Sequence, residues 1–288
     1  MKLLILGKTS YVGTSIRKYF EINHSHVKID SISSRHDSWV DYSFAGYDAV
    51  VNTSGLCHAD SRQGTPELYR EVNTILPVRI AKKTKEEGVP LFVQISSAIV
   101  YGNMSRIGKK KTINQDTVPC PVNVYGESKL NADNELQKLG EESFRIAILR
   151  CPLIYGENAR DNFSRLVKYA KKMPLFPNIQ NEQSMIYVDN LAELVYLIIA
   201  NKKSGIFLPQ DEDYICTSRI VKDIADCSGN KLVLTSLFNP AIRLLSKKIY
   251  FINKVFGNIV YSKEVSSYFE GRYRVVSYSE AIRRISSR

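Results

Sequence analysis

Short apolar runs that alternate with helical stretches constrain this chain more than any other feature. It opens on Leu3-Leu4-Ile5-Leu6-Gly7, four apolar residues ended by a glycine. A strand is predicted over 2–6, a helix near 12–21, strands near 26–33 and 48–53, a helix near 66–87, a strand at 91–96, a helix near 123–139 and a strand at 145–150. Strands separated by helices pair in parallel, because a crossover helix carries the chain back to the starting end of the sheet. The expected fold is α/β, a Rossmann-type doubly wound parallel sheet. Right-handed crossovers then gather the C-terminal strand ends, and with them any ligand, on one edge.

Beyond residue 151 the rhythm loosens. Asp161 begins a helix, Lys172 to Pro177 is a proline-marked loop, Ser184 to Val188 returns to a strand, and Asp189 caps a helix to about 202. From Asn239 an amphipathic helical stretch runs to about 255, followed by a segment containing Gly257, Val260 and Tyr261.

At the first strand end, Gly7-Lys8-Thr9-Ser10-Tyr11-Val12-Gly13 occupies the place of a G-x-x-G-x-x-G turn, with Ser10 where the middle glycine is expected. Gly7 permits the tight turn, Gly13 permits close helix-to-strand packing, and a pyrophosphate would sit on the helix N-terminus. Ser10 is read as a tolerated variant whose hydroxyl hydrogen-bonds to the phosphate. At the second strand end, Val27 to Arg35 offers two registers. Ending at Asp30 would place a carboxylate on the ribose hydroxyls of NAD. Ending at Ser33 would make Ser33, Ser34 and Arg35 a cationic, hydroxyl-rich pocket for the 2′-phosphate of NADP. The second register is preferred slightly.

Tyr125-Gly-Glu-Ser-Lys129 lies 28 residues after Ser97. A tyrosine and a lysine four apart share a helix face, roughly 5–6 Å apart at Cβ, so the ammonium would bias the phenol toward phenolate. That pairing makes a base at neutral pH, and Ser97 would hold the reacting oxygen. The spacing alone is weak: the chain has 17 tyrosines, and Tyr250 and Lys254 repeat it by accident. The order of the three signals, glycine turn, Ser-Ser strand end, then Tyr/Lys helix, is what singles out Tyr125 and Lys129.

The chain of 288 residues, 44% hydrophobic, suits one large α/β domain with an appended lobe. The initial apolar run is too short for a signal peptide, and Leu191 to Ala200, broken by Glu193, is too short to span a bilayer. Five cysteines without metal-type spacing imply reduced thiols, no metal site and a cytoplasmic setting. Cys57 sits near the presumed site. The net charge of +11 is concentrated late, residues 231–288 holding 11 Lys and Arg against 3 Glu. That excess fits anionic ligands such as nucleotide sugars, and equally an anionic membrane surface, an acidic partner or solubility. With no nucleic-acid-binding motif, no nucleic-acid partner is expected.

With these residues assembled, the chain resembles the extended short-chain dehydrogenase/reductases, specifically the NAD-dependent epimerase/dehydratase family acting on nucleotide sugars. The resemblance spans nearly the whole chain. It rests further on Tyr47 to Gly55, Asn73, Gln94 to Gly102, Leu149 to Gly156 and Ser184 to Ala192. It implies a dinucleotide-binding region over 1–155, with sheet elements returning near 184–210, and a mainly substrate-binding lobe over 156–288, interleaved with it. It also implies a homodimer. Carried over, Thr9, Tyr11 and Val12 join the glycine turn, Asp41 lies near the adenine, and Thr53, Ser54, Gly55 and Asn73 follow the cofactor backbone. Pro152 to Ile154 lie near the nicotinamide, and Asn162 approaches the nucleotide diphosphate. The arginine that commonly precedes Ser184 and pairs with substrate phosphates is here Gln183, a gap that either Arg160 fills or a substrate different from the common ones explains. His58, followed by Asp60, is a candidate substrate contact.

The implied reaction is hydride transfer at a sugar carbon, C4, of a nucleotide-activated hexose, with Tyr125 exchanging the proton, Lys129 holding the nicotinamide ribose and Ser97 bonding the same oxygen. An epimerase of polysaccharide precursor synthesis with held NAD is preferred, because the motif set looks most like the 4-epimerases. A 4-keto-sugar reductase consuming NADPH is the alternative, for which Arg35 argues. A non-enzymatic NAD(P)-sensing regulator on the same fold is disfavoured by the intact Ser97, Tyr125 and Lys129. A dehydratase is disfavoured by Ala98 and Ile99, since it would want a carboxylate beside the serine.

Overall fold

The computed structural model of the chain describes residues 1–57, 64–159 and 161–287. They divide into two compact units: Met1–Gly102 with Val118–Cys151 and Val188–Pro209, and Asn103–Thr117 with Pro152–Tyr187 and Gln210–Arg288.

The first unit is built on a six-stranded sheet. Its strands are β1 (Lys2–Leu6), β2 (Lys28–Ile32), β3 (Ala49–Asn52), β4 (Leu91–Ser97), β6 (Arg145–Cys151) and β10 (Gly205–Phe207), in the spatial order β10-β6-β4-β3-β1-β2. Every pairing is parallel. Leu3 to Leu6 and Ala49 to Val51 are wholly buried, because a parallel sheet covered by helices on both faces hides alternate side chains equally. The edge strand β2, Lys-Ile-Asp-Ser-Ile, keeps a partly exposed polar character. After β2 the chain crosses β1 and resumes at β3, so the winding reverses between β1 and β3. Ligands of such sheets bind at that reversal, beyond the strand C-termini.

The helices follow the sequence closely, with instructive exceptions. α1 (Tyr11–Asn23) leaves the first strand, and α4 (Val124–Leu139) starts at Asn123, whose side chain accepts the Gly126 N–H at 2.8 Å. The expected helix over 66–87 is α2 (Pro66–Arg70), a π turn (Glu71–Ile75) and α3 (Leu76–Glu86) in succession. A π turn holds one residue more than the α pitch and often marks a functional position. In α6 (Val188–Ala200) Asp189 lies inside the first turn rather than capping it. A negative charge in the first turn still suits the positive helix end.

The second unit holds three small parallel pairs: β5 (Thr112–Ile113) with β12 (Val260–Tyr261), β7 (Leu153–Tyr155) with β9 (Met185–Tyr187), and β8 (Leu175–Pro177) with β11 (Val233–Thr235). Its helices are α5 (Asp161–Lys172), α7 (Thr217–Cys227), α8 (Asn239–Leu245), α9 (Tyr250–Phe256) and α10 (Tyr278–Ser286). The helix expected from Asn239 to about 255 is thus two, broken at Ser246 to Ile249. The five cysteines are free thiols. Among the described residues no helix is long and apolar enough to cross a membrane.

Candidate active site

At the β1 end, Gly7 has a φ of +102°, and a Cβ there would lie 2.5 Å from the Thr53 hydroxyl. A Cβ on Gly13 would lie 2.7 Å from the same oxygen and 2.8 Å from the Gly7 carbonyl. Only glycine fits either place, and the turn is held flush against the β3 end. Ser10 caps α1 by accepting the Gly13 N–H at 2.9 Å. The Thr53 hydroxyl donates to the Leu6 carbonyl at 2.8 Å, so the 2.7 Å contact between Ser10 and Thr53 leaves Ser10 as the donor. Its one proton is spent. In the protein alone Ser10 shapes the turn, and the first-turn amides of Tyr11 and Val12 stand at the helix N-terminus, where an anion is favoured. Thr9 is exposed in the turn.

The second strand decides between its two registers. β2 ends at Ile32, paired with Leu6, and the Ile32 carbonyl accepts the Gly7 and Lys8 amides, each at 3.1 Å. Asp30 lies mid-strand, its carboxylate accepting the Tyr47 hydroxyl at 2.6 Å with Lys2 at 3.7 Å. The strand-end role considered for Asp30 is thereby excluded. Beyond the end, Ser54 donates to Ser34 at 2.7 Å, and the Ser33 hydroxyl accepts the Arg35 amide at 3.1 Å. The Arg35 side chain is exposed, and among the described residues no carboxylate pairs with it. Asp41 is exposed in the connection to β3. A glycine cradle no side chain could enter, a helix N-terminus and an uncommitted guanidinium together fit a nicotinamide dinucleotide.

Ser97, Tyr125 and Lys129 are brought together. Ser97 ends β4, and its hydroxyl is hydrogen-bonded to the Tyr125 phenol. Lys129, 5% exposed, donates from Nζ to the Ile95 carbonyl at 3.3 Å. A Cβ on Gly55 would lie 3.0 Å from that Nζ. Burial pushes the Tyr125 phenol up to about 12, and the Ser97 hydrogen bond works against the rise. Burial also lowers the Lys129 ammonium, while Asp133, one turn further along α4, pulls it back up. In the protein alone, burial is the largest influence on the Tyr125 phenol, and it raises it.

Several residues at this site went unnoticed in the sequence. Asp133, fully buried, accepts the Arg150 Nε–H at 2.9 Å, and Arg150 Nη1 donates to the Tyr101 hydroxyl at 2.9 Å. Tyr125, Lys129 and Asp133 therefore line one face of α4 at successive turns, a spacing legible once the first pair is accepted. The Tyr69 ring lies 6.1 Å from that of Tyr125. Cys57 and the buried Cys151 are close enough to interact electrostatically with both Tyr125 and Lys129, and burial raises the Cys151 thiol. Asn73 lies in the π turn. Its Oδ1 accepts the Leu56 amide at 2.8 Å, and its Nδ2 donates to the Leu56 carbonyl at 3.0 Å and the Ser128 hydroxyl at 3.1 Å. It clamps the loop after β3 to α4.

In the second unit, Pro152 precedes β7 and Ile154 pairs with Ile186. Asn162 stands in the first turn of α5. Gln183 is buried, donating to the Val255 and Gly257 carbonyls at 3.1 Å each, so it braces backbone rather than offering an arginine-like contact. His58, Asp60 and Arg160 lie outside the described residues.

Residues 3–208 match the NAD dependent epimerase/dehydratase family. The chain belongs to that family. It is an NAD(P)-dependent enzyme of the extended short-chain dehydrogenase/reductase type. Within the curated proteins it is similar to UDP-glucose 4-epimerase of Vibrio cholerae, 27% identical over 77% of this chain and 74% of that one. It also resembles methionine adenosyltransferase 2 subunit beta of Bos taurus, 24% identical over 55% of this chain and about half (48%) of that protein. The fold matches the crystal structure of UDP-glucuronic acid 4-epimerase from Bacillus cereus in complex with NAD, with a TM-score of 0.75 and 15% identity over 100% of this chain and 96% of that one.

Proposed function

We propose that this member of the epimerase/dehydratase family is a nucleotide-sugar 4-epimerase, with nucleotide 4-keto-sugar reduction as the second reading. The observation that carries the proposal is the convergence of Ser97, Tyr125 and Lys129 at the β4 end, beside a glycine cradle on the same sheet edge. A regulator that only senses a dinucleotide has no use for a proton-transfer set. The likeness to the Vibrio cholerae 4-epimerase over three quarters of both chains supports the choice of substrate class.

The residues divide the work. Gly7, Gly13 and the α1 N-terminus would take the pyrophosphate, Ser33 to Arg35 the adenosine ribose end, and Lys129 the nicotinamide ribose. The bound dinucleotide supplies the hydride acceptor or donor and, when oxidised, a positive charge. Tyr125 Oη exchanges the proton of the sugar hydroxyl, and Ser97 Oγ hydrogen-bonds the same oxygen. The lobe over 156–288 would hold the sugar and its nucleotide. The Arg35 guanidinium, which no carboxylate pairs with among the described residues, is what favours the second reading.

Denaturing the purified protein and identifying the released dinucleotide separates the two: bound NAD supports the epimerase, whereas turnover that requires added NADPH supports the reductase. Absence of dinucleotide binding would sink both. Arg35→Ala should weaken NADPH about ten- to over a hundredfold, the worth of one charge-assisted contact, and leave NADH nearly unchanged. Equal loss for both cofactors would remove the 2′-phosphate pocket.

A further inference from the structure

The surface of α8 and α9 puts hydrocarbon where a soluble protein ordinarily hides it. Leu237, Phe238, Leu244, Leu245, Ile249 and Phe251 are all exposed, Leu237 to 79%, Leu244 to 66% and Phe251 to 51%. α8 buries none of its residues. The segment is nonetheless firmly held. Asn239 Nδ2 donates to the Asn178 carbonyl at 2.7 Å, the buried Asn253 Nδ2 donates to the Ser246 carbonyl at 2.7 Å, and Phe256 packs on Phe176 at 5.9 Å between ring centroids. The exposure is built into a braced pair of helices. Exposed apolar side chains concentrated in one braced segment point to an interaction site.

Charge says what the site meets. Residues 231–263 contain six Lys and Arg and no Asp or Glu. Arg243, Lys247 and Lys248 are exposed among the leucines, and among the described residues no carboxylate pairs with them. A second copy docked two-fold on this face would set one carboxylate-free basic segment against another, which like-charge repulsion opposes. An anionic bilayer supplies both needs at once, hydrocarbon for the leucines and phosphates for the cations. We propose that α8, the Ser246 to Ile249 turn and α9 form a docking surface that seats this enzyme on an anionic membrane, with Leu244 and Phe251 entering the headgroup boundary and Lys247 and Lys248 at the phosphates.

The test is co-sedimentation of the full-length protein with vesicles of about 3:7 phosphatidylglycerol to phosphatidylcholine, and with phosphatidylcholine alone. Wild type should partition only onto the anionic vesicles, less so in high salt. K247Q/K248Q should lower the partition coefficient roughly thirtyfold, at about 1 kcal/mol for each charge. L244S/F251S should lower it about tenfold or more with the charge intact. Lys247, Lys248 and Leu244 are exposed and Phe251 is half exposed, so both variants should stay folded, melt close to wild type and retain turnover. No binding to anionic vesicles, or binding untouched by both variants, would overturn the proposal. So would a wild-type dimer, seen by light scattering, that L244S/F251S converts to monomer, since a second copy would then be the occupant.

Discussion

Two helices of this molecule invert the usual partition in opposite senses. In α4 a lysine and an aspartate are out of water while Val124 at the helix start is exposed, and in α8 two leucines are in water while no residue is buried. Charge is costly to bury and hydrocarbon costly to expose, so neither arrangement arises from stability alone. The difference lies in what offsets each cost. Asp133 is matched inside the protein by Arg150, itself bonded to Tyr101, and Lys129 by the Ile95 carbonyl and Asp133. Among the described residues the leucines of α8 have no such match, and the proposed membrane surface is what would supply it.

The largest effect should come from the reacting end of α4. Tyr125→Phe should lower kcat about 10²- to 10⁴-fold while cofactor affinity stays within a few-fold, as shown by kinetics together with titration. Near-normal turnover would defeat the site. Next, Arg150→Ala should cost about 3–5 kcal/mol in urea unfolding, because it strands the Asp133 carboxylate in the interior. A loss below about 1 kcal/mol would mean that pairing is not what permits charge inside α4.

Lys129→Met sharpens the same contrast in the other direction. The unfolded ammonium keeps its proton to about pH 10.4, whereas burial lowers the folded value. Below the folded value the charge therefore burdens the native state. As pH rises from there toward about 10 the unfolded chain binds more protons, and the burden fades. The variant should lose turnover yet melt above wild type at pH 7, with the gap closing as pH approaches about 10. A lower melting temperature at pH 7 would show that the Ile95 and Asp133 contacts outweigh desolvation. Smallest of all, Leu244→Ser should change unfolding free energy by no more than about 0.5 kcal/mol, since nothing packed is removed. A loss near 2 kcal/mol would place Leu244 in a core and close the comparison.

What could be read without the structure follows from what each feature needs. A strand hidden on both faces writes an unbroken apolar run, so β1, β3 and β4 stood out, and Tyr125 with Lys129 is a local spacing. Where two elements had to be weighed together the reading faltered. The Ser10 proton goes to a residue 43 positions away, and Asp133 meets Arg150 across 17. The Tyr125 phenol is governed by how deeply it is buried, which no spacing of residues expresses. The end of β2 became visible only through the partners Leu6 and Ile32, because Val27, Ile29 and Ile32 do not alternate regularly.

The π turn at Glu71 to Ile75 carries a consequence of phase. An α-helix advances about 100° per residue, so the extra residue of a π turn, absorbed as a local widening, shifts the sequence phase of the segment after it by about that angle from an unbroken α pattern. Asn73 sits inside the widening, its carboxamide bonded to the Leu56 amide and carbonyl and to the Ser128 hydroxyl. Deleting a single residue there would leave a more regular helix, and would swing the carboxamide away from one of the two segments it joins. The irregular helix works as a timing device, in which a one-residue deletion that improves the local geometry would put the loop after β3 out of step with the tyrosine-bearing helix.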